Sequence, residues 1–263
     1  MTDPVNLHYV LEGPADGPPV VLSNSLGTNL DMWRPQVAEL RRQARLIRYD
    51  QRGHGRSPLP PGPYEIDDLG RDLLGLLDRL GIERAHLVGL SLGAMTAMWV
   101  AAQAPERVDR LVLLATSARL GPPEHWRERA AKVRAGGTAA VVDAVVGRWF
   151  TPGFASREPA TVQWAGEMFL STPAMGYVEC CGVLERMDLE PVLPQIRAPA
   201  LVLGARPDPA TPPVHHERIA AGLPGARLVL LEDGAHLVNV ERATEVTALI
   251  LEHLALDTSV AVA

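Results

Sequence analysis

The sequence predicts an α/β fold, in which helices cover both faces of a mostly parallel central sheet, with one long helical insertion. Strand-like and helix-like segments alternate from residue 1 to about residue 118, and the alternation resumes after about residue 190. Such alternation is typical of βαβ units, which build parallel sheets covered on both faces. Between the two stretches the alternation stops, which indicates that the intervening residues are inserted into one core.

The predicted strands are short apolar or alternating runs, as expected for a sheet that is largely buried. In chain order they are NLHYVLEG, VVLSN, ARLIRYD, AHLVGL, VDRLVLLAT, ALVLGARPD and ARLVLLEDG. The predicted core helices are DMWRPQVAELRRQ, EIDDLGRDLLGLLDRLG, LGAMTAMWVAAQAP and ERATEVTALILEHLA. In the second of these helices, apolar residues recur at helical spacing and share one face: Ile66, Leu69, Leu73, Leu76, Leu77 and Leu80.

The insertion, residues 120–190, is called the cap below. It is rich in Ala, Arg, Trp and Pro, contains the helical patches HWRERAAKVRAGG and GTAAVVDAVVGRWF, and has no convincing strand. Loops in such folds are usually short, so a segment this long is expected to cover a site. We therefore predict a core of residues 1–119 and 191–263 and a cap of residues 120–190, with residues 256–263 as a frayed tail.

The composition is that of an ordinary soluble globular protein, with 263 residues, 47% hydrophobic, 21% charged and a formal net charge of −6. No stretch approaches ~18 consecutive apolar residues, so no membrane span is expected. The acidic balance gives no reason to expect a nucleic-acid partner. The N-terminus lacks the basic and apolar regions of a signal peptide, so a cytoplasmic location is expected.

The adjacent Cys180 and Cys181 are expected to be reduced thiols packed in a core.

A nucleophilic serine is predicted at Ser91. The segment from Gly89 to Gly93 matches the pattern G-x-S-x-G, with an apolar strand before it and a helical pattern directly after it. This turn is too sharp for side chains at the two glycine positions, and it lifts the serine hydroxyl above the sheet edge. The alternative interpretation is a tight turn that carries an ordinary serine.

A serine hydroxyl needs a base and an orienting carboxylate, and in this arrangement the chain order is serine, acid, histidine. Asp208 lies in the loop after the apolar run ALVLGA, and His236 lies in the loop after the run ARLVLLEDG. Both candidates lie at the carboxyl ends of strands, where sites in open α/β sheets form. Glu232 and Asp233 are competing acids, but they are too close in sequence to His236 to reach its ring easily. The other histidines considered are less well placed. His215 and His216 are expected on a solvated helix face, and the rest are expected elsewhere: His86 in a strand, His253 in the final helix and His125 in the cap.

Acyl transfer also needs two N–H donors aimed at the developing oxyanion. One should be the backbone N–H of Leu92, which follows the nucleophile, and the other should come from a loop near the first long strand. That loop is SNSLGT, whose small residues let the backbone approach a substrate. The N–H of Leu26 is therefore the expected second donor.

On these residues the sequence resembles the α/β-hydrolase superfamily over nearly the whole chain. The segments that carry the resemblance are the strand before SNSLGT, YDQRGHGRS, GLSLGA, DPATPP and GAHLVNVE. Most of the superfamily carries His-Gly where this chain has Asn24-Ser25. With that departure and the segment GYVECC, the chain is similar to the 3-oxoadipate enol-lactonases of aromatic catabolism, in the β-ketoadipate pathway. In YDQRGHGRS, Arg52 and His54 are expected to fix the loop by hydrogen bonding.

The resemblance implies a small-molecule substrate, a five-membered enol-lactone with a carboxymethyl arm, which is opened to 3-oxoadipate. It implies that Ser91 attacks the lactone carbonyl with His236 as base and Asp208 as the orienting acid. This chemistry requires no metal and no organic cofactor, and the sequence contains no ligand cluster that would suggest one.

The anionic arm of such a substrate calls for a local cation, because the protein as a whole is acidic. One cap helix pattern offers four cations close to Trp126: Arg127, Arg129, Lys132 and Arg134. We expect Arg129 and Trp126 to face the substrate. The alternative interpretation is a solvated helix face, which such charge runs usually are.

Other functions remain open on the same residues. One is another esterase or lactonase with a different small substrate, and a second is a C–C bond hydrolase that acts on a dienoic ketone. A third is a ligand receptor of hydrolase ancestry, which turnover of an activated ester would distinguish. A haloalkane dehalogenase is disfavoured, because its nucleophile would be an aspartate at position 91.

Overall fold

The computed structural model describes residues 3–256, which form a seven-stranded sheet with helices packed against it. The strands are β1 (Tyr9–Glu12), β2 (Pro19–Ser23), β3 (Arg45–Tyr49), β4 (Ala85–Leu90), β5 (Val108–Leu114), β6 (Ala200–Ala205) and β7 (Arg227–Leu231). Their order in the sheet is β1-β3-β2-β4-β5-β6-β7. β1 runs antiparallel to β3, and the other neighbouring strands are parallel. The predicted α/β fold with a mostly parallel sheet is confirmed.

The α-helices alternate with the strands in the core and cluster between β5 and β6. The helices outside that cluster are α1 (Arg34–Leu40), α2 (Ile66–Arg79), α3 (Leu92–Gln103), α9 (Pro213–Gly222), α10 (Val238–Glu241) and α11 (Ala243–Leu254). The clustered helices are α4 (Pro123–Gly136), α5 (Val142–Val146), α6 (Pro152–Arg157), α7 (Pro159–Leu170) and α8 (Ala174–Arg186).

The two faces of the sheet are both covered. Every residue of β4 and of β6 is buried, and successive side chains of a strand point to opposite faces. Continuous burial along these strands therefore requires packed atoms on either side, as in other parallel sheets. The edge strands β1 and β7 are partly exposed instead.

Helix α2 illustrates how the sequence pattern positions a core helix. At its start the side chain of Glu65 and that of Asp68 cap each other's backbone N–H groups, which satisfies donors that a helix leaves free. The predicted apolar face is buried at its first five positions: Ile66, Leu69, Leu73, Leu76 and Leu77. The sixth, Leu80, lies one residue beyond the helix end and is only partly buried.

The residues of the cap contribute α4 to α8 and no strand to the sheet. Helix α4 packs along α8, which carries Cys180 and Cys181 as buried free thiols. Burial raises the pKa of both thiols, that of Cys181 to about 12. These cysteines are therefore packing residues at neutral pH.

Two further observations concern membrane-spanning helices and the C-terminal residues. Within residues 3–256, no helix has both the length and the apolar character needed to cross a membrane. Residues 257–263, which make up most of the expected tail, lie outside the described residues.

Candidate active site

Ser91 occupies the turn between β4 and α3, with a φ of 53° and a ψ of −117°. A positive φ is costly for a residue that carries a Cβ, and it persists only where the surroundings enforce it. A Cβ on Gly89 would lie 2.5 Å from the backbone of Ala94, and one on Gly93 would lie 2.2 Å from the carbonyl oxygen of Ser23. The two glycines of the pattern are thus required by close backbone packing around the serine.

Hydrogen bonds from the next strand hold the backbone of this turn. The Ser91 N–H donates to the carbonyl oxygen of Leu114 at 2.9 Å, and the Ser91 carbonyl oxygen accepts from the Thr116 hydroxyl at 2.9 Å. The serine is only 6% exposed. Its position is therefore set by the sheet rather than by a mobile loop.

His236 and Asp208 form a buried pair in the loops after β7 and β6. The His236 Nδ1 lies 3.0 Å from Asp208 Oδ2. An ionised carboxylate only accepts hydrogen bonds, so Nδ1 carries a proton toward Asp208 and Nε2 is the nitrogen that can accept one. This is the tautomer that a general base for a serine hydroxyl requires.

The Asp208 carboxylate is held in its charged form by its surroundings. Burial by itself raises the pKa of this group, but the facing His236, the Thr211 hydroxyl and the Ala210 N–H outweigh burial and lower the pKa to about 2. The Thr211 hydroxyl donates at 2.6 Å and the Ala210 N–H at 2.7 Å. The carboxylate is therefore ionised across the physiological pH range.

The competing acids, Glu232 and Asp233, form ion pairs with arginines. Glu232 pairs with Arg206 at 2.9 Å, and Asp233 faces Arg242 at 3.5 Å. Both carboxylates are about four-fifths exposed, with side-chain exposures of 80% and 79%. Within the described residues, the carboxylate that the His236 ring contacts is that of Asp208.

The loop that carries His236 is joined to the cap by the carboxylate of Glu241. That carboxylate accepts from the N–H of Ala235 at 3.1 Å and from the N–H of Thr151 at 3.1 Å. The Thr151 hydroxyl donates to it as well. The histidine loop and the cap are therefore positioned by one shared anion.

The two predicted oxyanion donors are backbone N–H groups of Leu26 and Leu92. Among residues 3–256, neither N–H has an acceptor within hydrogen-bond distance. Leu92 is the first residue of α3, where a helix offers no carbonyl one turn back. Both groups are available to a ligand atom, and Leu26 lines the cavity that also contains Ser91.

A buried histidine supports the loop of Leu26 from behind. The N–H of the next residue, Gly27, donates to His54 Nε2 at 3.1 Å, while His54 Nδ1 lies 3.2 Å from the Arg52 carbonyl oxygen. Burial lowers the pKa of His54 to about 4, so the ring is neutral and can accept at one nitrogen while donating at the other. The Arg52 guanidinium in turn donates to Asp72 at 2.6 and 2.8 Å.

The side-chain amide of Asn24 fixes the loop that follows β2. The Asn24 Nδ2 donates to the Tyr49 carbonyl oxygen at 2.7 Å, and its Oδ1 accepts from the Trp33 indole at 3.0 Å. The side chain is fully buried. Asn24 therefore shapes the strand end without lining the cavity.

A cavity of about 340 Å³ brings most of the predicted residues together. Ser91, His236, Leu26, Trp126 and Arg129 line it. Asp208 lies behind His236, and Leu92 follows the serine into α3. Among the described residues, neither an aspartate nor a glutamate lines the cavity, whereas Arg129 and Arg148 do, so the cavity of this acidic protein has a cationic wall.

Of the four cap cations considered from the sequence, Arg129 lines the cavity and the other three do not. The Arg129 guanidinium lies over the Trp126 ring, 4.5 Å from its centroid. Arg127 is exposed and pairs with Glu185 at 2.5 Å, and the exposed Lys132 and Arg134 do not line the cavity. Arg129 is thus the member of this group that faces the cavity.

Further polar residues that the sequence did not predict as site residues also line the cavity, among them Arg148, Tyr177, His125 and His215. Arg148 stands in GRWF, and an arginine within an otherwise apolar cap patch is the signal that could have found it. The expectation that His215 and His216 lie on a solvated face is wrong, because α9 packs against β6. His216 is fully buried and accepts from the Thr116 N–H at 3.2 Å, and His215 Nδ1 lies 2.8 Å from the Ser117 hydroxyl oxygen.

Metal-binding side chains are not grouped in the part of the chain that is described. No three His, Cys, Asp or Glu side chains within residues 3–256 are placed to hold one metal ion.

Comparison with known proteins identifies relatives over nearly the whole chain. A family model of the alpha/beta hydrolase fold matches residues 18–243. The 3-oxoadipate enol-lactonase 2 of Acinetobacter baylyi is 39% identical over 238 residues, which are 90% of this chain and 89% of the relative. The crystal structure of the enol-lactonase from Burkholderia xenovorans LB400 superposes with a TM-score of 0.93 at 43% identity, covering 95% of this chain and 98% of that one. A protein of Variovorax paradoxus whose name proposes carbamate hydrolase activity is 34% identical over 258 residues, 95% of this chain and 96% of the relative.

Proposed function

The chain belongs to the α/β-hydrolase family, and from that premise we propose that it is a serine hydrolase that opens 3-oxoadipate enol-lactone to 3-oxoadipate. The observation that carries this proposal is one cavity that combines Ser91 and His236 with a cationic wall free of carboxylates. Its similarity to two enol-lactonases, at 39% and 43% identity, supports the choice of substrate.

In the first step, the Ser91 hydroxyl oxygen attacks the lactone carbonyl carbon. Its proton passes to His236 Nε2, and the imidazolium that forms is stabilised by the Asp208 carboxylate 3.0 Å from Nδ1. The carbonyl oxygen becomes an oxyanion, which the N–H groups of Leu26 and Leu92 stabilise.

Collapse of this intermediate breaks the ring C–O bond and forms an acyl-enzyme on Ser91. The leaving oxygen departs as an enolate, which takes a proton on carbon from solvent and becomes a ketone, while the proton that His236 took from Ser91 passes to solvent and leaves the imidazole neutral for the next step. An enolate is a better leaving group than an alkoxide, so proton donation by His236 matters less for ring opening than for an ordinary ester. The acyl chain and the leaving group stay in one molecule because the substrate is a ring.

Water then releases the product. His236 takes a proton from the water as its oxygen attacks the acyl carbon, and Ser91 regains its proton when the C–Oγ bond breaks. The sum is one lactone and one water giving one 3-oxoadipate, with every proton transfer assigned to a group of this chain or to solvent.

We assign the cap, residues 120–190, the role of recognising the carboxymethyl arm. Arg129 and Trp126 line the cavity side of the cap, where a guanidinium can form a charge-assisted hydrogen bond to a carboxylate. Neutral ester substrates gain nothing from this contact. The arm therefore distinguishes the lactone from simple esters.

The direct experiment is incubation of the purified protein with 3-oxoadipate enol-lactone, with the product identified by chromatography and mass spectrometry. We expect 3-oxoadipate to form with a kcat/KM in the range usual for enzymes on their own substrates, about 10⁴–10⁸ M⁻¹s⁻¹. A neutral aryl acetate and a small carbamate serve as comparison substrates. Turnover of either of these with an unchanged lactone would reject the lactonase assignment and return the chain to another hydrolase substrate.

A further inference from the structure

Two guanidinium groups on the cap side of the cavity have no carboxylate partner in the part of the chain that the structure describes. Arg148 lines the cavity together with Arg129, and its Nε donates only to the Ala144 carbonyl oxygen of the preceding turn at 3.0 Å. Within residues 3–256, neither arginine is within ion-pair distance of an Asp or Glu. Arg127, on the same helix as Arg129, shows the ordinary arrangement, because it pairs with Glu124 and Glu185.

The two guanidinium groups are also close enough to repel each other. Burial is the largest effect that lowers the pKa of Arg148, and the charge of Arg129 lowers it further. Two cations held near one another in a half-buried wall without a counterion are electrostatically unfavourable. An anion placed between them would relieve this repulsion.

A buried hydroxyl in the same wall also has no partner. Tyr177 is fully buried and lines the cavity, and its hydroxyl has no hydrogen-bond partner among the described residues. Burial is the largest effect and raises the pKa of this phenol, while the charge and the proximity of the Arg129 guanidinium and the charge of Arg148 lower it. Arg129 is thus the polar group nearest in effect to the hydroxyl, but it does not meet hydrogen-bond geometry with it. The hydroxyl therefore lies near both guanidinium groups and remains a neutral donor. Buried polar groups are rarely left without a partner, which points to a ligand atom here.

We propose that Arg129, Arg148 and Tyr177 together form a carboxylate subsite that binds the far end of a dicarboxylic acid derivative whose acyl carbon is at Ser91. The inference rests on the proposed hydrolysis at Ser91, but it does not depend on a lactone ring. It adds Arg148 and Tyr177 to Arg129, and it defines the substrate class as acyl compounds with a free carboxylate at the other end. The hydrolysis product, a dicarboxylate, fits the same site with one carboxylate at the oxyanion donors.

Competitive inhibition tests the subsite without the lactone. Hydrolysis of a neutral aryl acetate is the readout, and adipate and hexanoate are the inhibitors, because they share a six-carbon chain and differ in the second carboxylate. In the unmodified protein we expect the KI of adipate to be at least about tenfold below that of hexanoate, as one charge-assisted contact would give. Adipate binding no tighter than hexanoate would overturn the proposal.

Variants then assign the preference to the three residues. Arg129→Gln and Arg148→Gln should each reduce the preference for adipate by about tenfold or more, and Tyr177→Phe by about threefold, as expected for a neutral donor. Arg127→Gln, on the exposed side of the same helix, is the matched control and should keep the full preference. A preference that survives in both cap variants, Arg129→Gln and Arg148→Gln, would also overturn the proposal. Adipate preference in a protein that leaves the lactone intact would instead reject the lactonase assignment and retain the subsite.

Discussion

At the core end of the cavity the Asp208 carboxylate accepts from His236, Thr211 and Ala210, whereas at the cap end Arg129 and Arg148 meet no carboxylate within the described residues. The charged group of the core is thus satisfied by other groups of the chain, whereas these two cap cations have no such partner among the described residues. A group with satisfied partners keeps one geometry and one charge, as catalysis requires. A group with open hydrogen-bonding capacity is suited to recognition. This difference supports our proposal that the core performs the reaction and the cap selects the substrate.

The strongest separation of these roles is expected at the nucleophile. Ser91→Ala removes the atom that forms the acyl-enzyme, and loss of a triad nucleophile commonly costs ~10⁶ in rate. The fold should remain intact, because the backbone contacts of Ser91 do not involve its hydroxyl. Steady-state hydrolysis of the lactone and a circular dichroism spectrum check both points. A folded variant that kept a tenth of the parent rate would show that the chemistry does not use Ser91.

The second prediction concerns the orienting acid. Asp208→Asn preserves the shape of the side chain but presents an amide to His236 Nδ1, which favours the wrong tautomer and costs ~10⁴ in kcat in other triads. Asp233→Asn is the matched control, because Asp233 is exposed and faces Arg242. We expect the control to retain its rate on any substrate that the protein hydrolyses. A nearly normal Asp208→Asn and an inactive Asp233→Asn would move the acid to the other loop.

The third prediction changes recognition rather than chemistry. Arg129→Ala should raise the KM for the lactone by roughly tenfold to a hundredfold, because charge-assisted hydrogen bonds contribute ~1.5–3 kcal/mol. The ratio of kcat/KM for the lactone to that for a neutral aryl acetate is the measurement, since damage to the fold would lower both values together. An unchanged ratio would place Arg129 outside the recognition of the arm.

How much of this division could be predicted from the sequence depends on what constrains each residue. Ser91 could be predicted from the sequence because its strained turn requires Gly89 and Gly93 at fixed spacing. This backbone constraint leaves a pattern in the sequence. Asp208 and His236 follow from strand ends and chain order, although their 3.0 Å contact joins residues 28 positions apart and needs the folded sheet.

The cap is harder to interpret because its helices carry no pattern of that kind. Arg148 lies in the turn after α5 and Tyr177 lies in α8, and packing of the cap brings them to one wall. The burial of His216 in the core could not be predicted for the same reason. The local sequence places this imidazole at a polar helix start, but the packing of α9 against β6 buries it. Tertiary packing decides such positions, and local periodicity does not report it.

The smallest predicted effect is the contribution of the core pair to stability in acid. The pKa of Asp208 is lowered to about 2 in the folded protein from an ordinary value of 3.8, so its stabilising effect is complete above the unfolded value and is lost as pH falls. Between pH 5 and pH 3 this group should cost the protein about 1 kcal/mol of unfolding free energy. Urea unfolding at a series of pH values, compared with Asp208→Asn, measures it, and the variant should show the shallower decline. Equal slopes would mean that the carboxylate is not held in its charged form by folding.

The most direct test compares 3-oxoadipate enol-lactone with its methyl ester, in which the same ring and leaving group remain and the carboxylate of the arm is neutral. Because the core should treat the two rings alike while the cap recognises only the charged arm, kcat/KM should be higher for the free acid by about tenfold or more. Product analysis distinguishes ring opening from loss of the methyl group. Equal values for ring opening, or a preference for the methyl ester, would contradict the assignment of substrate selection to the cationic wall of the cap.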